Sequence, residues 1–304
     1  MRPGPSLRIG VDLGGTKTEA AALSAEGELL ARRRVATPHA YEPTLDLIAG
    51  LVRDLEGETG HRARVGIGMP GAISPATGLV KNANSVWLNG RPLAQDLERL
   101  LQRPLRLAND ANCFALSEAR DGAAAGRRVV FGVILGTGTG GGVAIDGRAW
   151  RGRNAIGGEW GHNPLPWPGD GERPGPPCYC GRSGCMETFL SGPGLSRDHA
   201  AATGRTIDPE QIVAAAGAGD NAAEETLRRY DDRLARGLAT VINLLDPDVI
   251  VLGGGLSNLA RLYANVPRLW DRWVFSDRVE TPLVPPRHGD ASGVRGAAWL
   301  WDDD

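Results

Sequence analysis

The chain has 304 residues, with 34 Lys and Arg against 36 Asp and Glu and a formal net charge of −2 at pH 7. That near-balance excludes a nucleic-acid or polyanion binder, which needs a net basic surface. Hydrophobic residues make up 41% and charged residues 23%, a composition that buries a core in one or two domains and excludes a disordered chain.

Leu7 to Val11 is a short apolar run preceding Asp12-Leu13-Gly14-Gly15-Thr16-Lys17, and Thr18 to Leu23 and Leu29 to Val35 continue it as a β-meander. The opening MRPGPSLRIG lacks the apolar stretch of a secretory signal, and no apolar run reaches the roughly 18 residues of a membrane span. A soluble, cytoplasmic chain is expected. Leu45, Ile48, Leu51, Val52 and Leu55 have helical spacing, and Val65 to Met69 is a buried strand ending at Pro70-Gly71. A helix over Leu93 to Leu101, a strand over Leu105 to Ala108 and a helix from Asn109 to about Ala125 make this half α/β. The opening pattern then returns. Val129 to Leu135 is a strand, Gly136 to Gly142 a glycine turn and Val143 to Ile145 a second strand, which predicts a duplicated fold. Pro164 to Pro177 reads as an irregular loop. Leu227, Tyr230, Leu234, Leu238, Val241, Ile242 and Leu245 mark one long amphipathic helix, Asp248 to Leu252 a buried strand before Gly253-Gly254-Gly255, and Val294 to Trp301 a closing helix.

Glycine, at 43 residues, is about twice its usual share, and it clusters in turns that follow buried strands. Successive unhindered N–H groups there form nests for phosphate oxygens. The Walker pattern GxxxxGK[ST] is absent, and a dinucleotide-binding reading fits poorly because the first turn enters a strand instead of a helix. Asp12, at a strand end beside this turn, is placed to hold hydrated Mg²⁺ or simply to form the turn. Every basic residue except Lys17 and Lys81 is Arg, and both lysines fall inside motifs.

Cys178-Tyr-Cys180-Gly-Arg-Ser-Gly-Cys185 gathers three of the four cysteines, and the nearest fourth ligand is His162 in GGEWGH. Three thiols leave one unpaired in any disulfide scheme, so a closed Cys3His zinc site is expected, with free buried thiols as the alternative. Such a zinc shapes a loop and activates no water. Cys113 reads as a small apolar residue. Asn109-Asp110 stands where a strand becomes a helix, which suits either an N-cap or a general base. Glu159, His162 and Glu187 flank the metal segment and can bind sugar hydroxyls. Asn82, Asn84, Trp87 and Asn89 also suit carbohydrate.

DLGGTK, LANDANC, GTGTGGG, GEWGH, CxCGxxGCxE and VIVLGGG together resemble the ROK family of sugar kinases, over nearly the whole length. The cysteine cluster joined to GEWGH is the specific element. KNANSVWLNG and HGDASGVRGAAWLW look most like fructokinases within that family. The resemblance implies an α/β, duplicated actin-like (ribonuclease H-like) fold with two lobes around a central cleft. Residues 1–116 would form the small lobe, with a C-terminal helix of about 291–304 packed on it, and 117–290 the large lobe. It implies ATP, catalytic Mg²⁺, structural Zn²⁺, a hexose substrate and a homodimer.

By motif, Asp110 is the implied catalytic base. Asn84, Asn109, Asp110, Glu159, His162 and Glu187 are the implied sugar ligands, and His162, Cys178, Cys180 and Cys185 the zinc ligands, His162 giving its second ring nitrogen to a sugar hydroxyl. Gly10, Val11, Asp12, Leu13, Gly14, Gly15, Thr16 and Lys17 are the first nucleotide segment. Gly136, Thr137, Gly138, Thr139, Gly140, Gly141, Gly142 and Val143 are the second, with Gly254 and Gly255 near the nucleoside. The implied reaction is phosphorylation of D-fructose at O6, with mannose or glucose as further acceptors. N-acetylglucosamine or glucose kinase activity is the alternative. A sugar-responsive regulator is disfavoured because no N-terminal helix-turn-helix precedes Leu7, and an actin- or Hsp70-like ATPase gives no reason for the cysteine cluster.

Overall fold

The computed structural model describes residues 7–301. Residues 1–6, which enter the reading of the N-terminus and of the small lobe, and residues 302–304, counted above with the closing helix, lie outside the described residues. Twelve strands follow in chain order: β1 (Arg8–Leu13), β2 (Lys17–Leu23), β3 (Leu29–Ala36), β4 (Arg64–Met69), β5 (Ala72–Ile73), β6 (Val80–Lys81), β7 (Leu105–Asn109), β8 (Val129–Leu135), β9 (Thr139–Ile145), β10 (Arg148–Ala149), β11 (Val249–Gly253) and β12 (Leu283–Val284). The α-helices are α1 (Tyr41–Thr59), α2 (Leu93–Leu101), α3 (Asp110–Arg120), α4 (Glu187–Leu190), α5 (Gly192–Thr203), α6 (Pro209–Gly217), α7 (Asn221–Leu245), α8 (Ala260–Leu269) and α9 (Ser292–Trp299). Among the described residues no helix is long and apolar enough to cross a membrane.

Two five-stranded sheets have the orders β3-β2-β1-β4-β7 and β10-β9-β8-β11-β12. In the first, β1 pairs antiparallel with β2 and parallel with β4, and β4 pairs parallel with β7. The second repeats this: β8 and β11 are parallel, as are β11 and β12, and β9 and β10 are antiparallel. The duplication expected from two strand-glycine-strand patterns is therefore present at the level of sheet order.

The chain divides into two compact units, Met1–Arg128 with Gly142–Gly158 and Arg287–Asp304, and Val129–Gly141 with Glu159–Pro286. In the first, Ile9, Val11, Leu13, Val65, Ile67 and Met69 are fully buried, as near-continuous apolar runs in parallel strands must be. Helix α9 lies directly on this sheet. A Cβ on Gly10 would stand 1.9 Å from the Val294 carbonyl, and one on Gly66 1.9 Å from that of Ala297, so glycine at both positions is what lets helix and sheet backbones touch. In the second unit the periodic residues of α7, Leu227, Tyr230, Leu234, Leu238, Val241 and Ile242, are all buried. Asp220 starts this helix by accepting the Ala222 and Ala223 N–H groups.

Two expectations need correction, and a third gains a detail. The second glycine turn is only Gly136 to Gly138, because β9 begins at Thr139. The later glycines lie in the strand, and Gly142 serves a close approach: a Cβ there would lie 2.2 Å from the Ala111 carbonyl. Helix α3 stops at Arg120, five residues early, where Asp121 takes a non-helical φ of −139°. The Pro-Gly loop is irregular as expected, but it is also fastened. Its Glu172 accepts hydrogen bonds from Arg233 Nε at 2.7 Å and Arg236 Nη2 at 2.9 Å on α7, and Arg236 also donates to the carbonyls of Pro166 and Trp167.

Candidate active site

In the first unit, β1 ends in the β1–β2 turn, closed by the Gly14 N–H donating to Lys17 O at 3.1 Å. Thr37 supports it, its hydroxyl donating to Gly14 O at 2.8 Å. Gly15, Thr16 and Lys17 are exposed at the tip, whereas Gly10, Val11 and Leu13 are buried in the sheet. Asp12 stands between. Burial first, then the charges of Asp110 and Glu19, push its carboxyl up to about 7 against a weaker opposing pull from Arg34. The structure thus brings Asp12 and Asp110 within electrostatic reach of each other.

Asp110 follows the C-terminal end of β7, a parallel strand, which is where ligands of open α/β sheets gather. It is half-buried, and its Oδ1 accepts the Ala111 N–H at 2.8 Å. The N-cap of α3 is Asn109, whose Oδ1 accepts from Ala111 at 2.9 Å and Asn112 at 3.3 Å while its Nδ2 donates to Gly71 O at 3.2 Å. The capping reading of this dipeptide thus falls on Asn109, while Asp110 holds the first N–H of the helix that it opens.

The amide-rich segment divides. Asn84 is exposed, but Asn89 clasps its own loop, exchanging hydrogen bonds with Ala83 N and O at 2.9 and 2.8 Å, and Trp87 stacks on His39 with ring centroids 4.9 Å apart. Those contacts give both residues a part in shaping the loop. Lys81 donates to the carbonyl of Asn154 at 2.7 Å.

In the second unit the β8–β9 turn is wired to the segments around it. The Gly136 N–H donates to Gly138 O at 3.0 Å, and the Gly192 N–H donates to Gly136 O at 2.8 Å. Glu187, the first residue of α4, accepts the Thr139 N–H through Oε2 at 3.0 Å, and Trp160 Nε1 donates to Gly140 O at 2.9 Å. A Cβ on Gly138 would stand 2.7 Å from Glu187 Oε2, so the carboxylate lies flat on the turn. Glu187 N in turn donates to Gly161 O at 2.9 Å. Glu159 is exposed nearby. Burial, then the charges of Glu187, Cys178 and Glu159, push the Tyr179 hydroxyl up to about 12, which locates both carboxylates close to the cysteine loop. Gly254 and Gly255 follow β11, and Gly254 O accepts the Ser257 N–H at 3.0 Å.

His162, Cys178, Cys180 and Cys185 present four donor atoms that lie within 4.8 Å of one another. Cys180 Sγ is 3.6 Å from Cys185 Sγ, and Cys178 Sγ is 3.5 Å from His162 Nδ1. Zinc–sulfur bonds of about 2.3 Å set tetrahedral edges near 3.7 Å, so three thiolates and an imidazole at these spacings fit that ion. Cys178 N donates to Arg182 O at 2.8 Å and Gly181 N to Cys178 O at 3.0 Å, with Gly181 at φ +85°. The second ring nitrogen of His162, given above to a sugar hydroxyl, lies 3.0 Å from the hydroxyl of Tyr179. Sequence reading passed over Tyr179; its one signal was its place between two ligand cysteines. It also passed over Gly71, whose carbonyl orients Asn109, and Asn112, whose Oδ1 accepts the Val143 N–H at 3.2 Å.

The ROK family model matches residues 8–304. An N-acetyl-D-glucosamine kinase of Photobacterium profundum is 40% identical over 299 residues, covering 97% of this chain and 99% of its own length. Among solved structures, a ROK hexokinase from Thermus thermophilus superposes with a TM-score of 0.85 at 33% identity, covering 97% of each chain. A ROK family glucokinase from Streptomyces griseus, in complex with glucose and AMPPNP, gives a TM-score of 0.81 at 31% identity over 98% of this chain and 100% of its own. With two sheets of one order, glycine turns after the first strand of each and this degree of likeness, the chain belongs to the ROK family and is an ATP-dependent sugar kinase of the duplicated actin-like α/β class.

Proposed function

We propose that this kinase transfers the γ-phosphoryl group of ATP to the primary hydroxyl, O6, of N-acetyl-D-glucosamine. The 40% identical relative supports that sugar; fructose, expected from the sequence motifs, finds no support among the relatives described. Glucose is the second reading, favoured by the Streptomyces griseus glucokinase.

In this reading Asp110 accepts the proton of the sugar hydroxyl as its oxygen attacks the γ-phosphorus, and the bond from that phosphorus to the ADP oxygen breaks. Phosphoryl transfer asks little covalent chemistry of a protein, so positioning dominates. Asn84, Glu159 and Glu187 hold sugar hydroxyls, and His162 joins them where a sugar hydroxyl replaces the Tyr179 hydroxyl as the acceptor of its Nε2–H. Asn109 adds one amide proton, its other contacts being spent on α3 and Gly71. The β1–β2 and β8–β9 turns receive phosphates, with Gly254 and Gly255 beside the nucleoside. Mg²⁺, when bound, neutralises charge on the transferred group, and Asp12 is the residue that would hold it. His162, Cys178, Cys180 and Cys185 would hold zinc in a closed set that leaves no position for water.

The observation that carries this proposal is the Thr139 N–H to Glu187 hydrogen bond. It makes one carboxylate part of both the phosphate turn and the sugar-binding segment. A coupled ADP-release assay over N-acetylglucosamine, glucose, mannose and fructose, with a sugar-free control, tests the assignment. The highest kcat/KM is expected for N-acetylglucosamine. A higher value for fructose defeats the sugar assignment, and ADP release indifferent to every sugar defeats the acceptor chemistry.

A further inference from the structure

The Cys3His cluster leaves one ring nitrogen of His162 outside it. Nδ1 faces Cys178 Sγ at 3.5 Å, while Nε2 is 3.0 Å from the Tyr179 hydroxyl, and the two rings meet edge to face at 88° with centroids 5.1 Å apart. An imidazole that ligates through Nδ1 must carry its proton on Nε2, and that N–H needs an acceptor. In most protein metal sites the acceptor is a carboxylate, a carbonyl or water, and its loss costs 10- to 100-fold in metal affinity. Here a phenol stands in that place. Tyr179 is 71% exposed, so burial of its ring does not explain its position, and it lies in the chain between two of the cysteines.

We infer that Tyr179 is a positioning residue of the metal centre. Its hydroxyl oxygen accepts the Nε2–H of His162, which fixes the tautomer that turns the Nδ1 lone pair toward the three sulfurs and holds the ring in the plane that ligation requires. The same contact ties the ring to the loop that supplies Cys178 and Cys180, so that one side chain orients the histidine toward the cysteines beside it. The inference rests on the metal centre proposed above.

Tyr179→Phe keeps the edge-to-face ring and removes only the oxygen. Because the side chain is mostly exposed, the variant folds, which far-UV circular dichroism checks. The full chain is loaded with zinc, one equivalent is confirmed by elemental analysis, and release to a chromophoric chelator is followed without sugar or nucleotide. Release about 10-fold faster in Tyr179→Phe is expected. Imidazole ¹⁵N spectra of the loaded wild type should show the Nε2–H tautomer with a slowly exchanging proton, and that proton should exchange rapidly in the variant. Equal release rates with an unchanged Nε2–H signal overturn the role of Tyr179 and leave the metal centre standing. A wild-type chain that takes up no zinc overturns both.

Discussion

The two sheets share one strand order, but their first turns differ in what they touch. The β1–β2 turn closes on itself, Gly14 to Lys17, with Thr37 behind it and its tip in solvent. The β8–β9 turn is held from outside by Gly192, Trp160 and Glu187, on segments that also carry the metal ligands and Glu159. Each sheet has a glycine turn after its first strand, and the proposed function gives both turns to phosphates. Under that proposal the second is bonded to a sugar ligand, Glu187, so a change there should be felt by both substrates, whereas a change at the first should be felt by nucleotide alone. Asp110, the base of the proposed reaction, belongs to the first unit.

The largest expected effect separates the base from both turns. Asp110→Asn should lower kcat by about 10³-fold while calorimetry shows sugar binding within a few-fold of wild type; retention of more than about a tenth of wild-type kcat would remove Asp110 from the chemistry. Next comes the pair of turns. In Gly138→Ala the new methyl meets Glu187 Oε2, so KM should rise about 10-fold for sugar as well as ATP. Gly15→Ala meets only Ser85 Oγ at 3.4 Å, and its sugar KM should stay at the wild-type value. Equal sugar effects from the two would erase the distinction.

A smaller effect concerns the Pro-Gly loop. Burial raises the pKa of Glu172, but hydrogen bonds from Arg236, Arg233 and the Gly169 N–H outweigh it and hold the carboxyl down at about 2. A carboxylate depressed in the folded state adds stability above its unfolded pKa near 4.5 and loses it as pH falls toward 2. Glu172→Gln should therefore cost about 2 kcal/mol in denaturant unfolding at pH 7, with the gap to wild type narrowing from pH 4.5 downward. A gap that is constant over that range would mean the loss is one of packing.

Repeating strand-glycine-strand patterns and the three-and-four spacing of α7 made the duplicated fold legible, because both arise from neighbours on one element. The clustering of the three cysteines was legible for the same reason, since they lie within eight residues. What escaped was contact at long sequence separation. Glu172 meets Arg233 and Arg236 more than 60 residues away, and nothing local marks the pairing. Gly140 to Gly142 read as turn residues since glycine permits turns, yet they lie in β9, where the missing side chain of Gly142 serves a close approach to Ala111 that only the fold reveals. Asn89 and Trp87 have the composition of a sugar site, and nothing in it foretells their contacts with Ala83 and His39.

The account centres on Glu187 as the residue shared by the phosphate turn and the sugar segment, and titration calorimetry tests it directly. N-acetylglucosamine is titrated into the protein with and without a non-hydrolysable ATP analogue, in wild type and in Glu187→Gln. The analogue should tighten sugar binding about 10-fold in wild type, a coupling of about 1.4 kcal/mol, and should leave it unchanged in the variant. Coupling of full size in Glu187→Gln would show that the two substrates communicate by another route and would contradict the account.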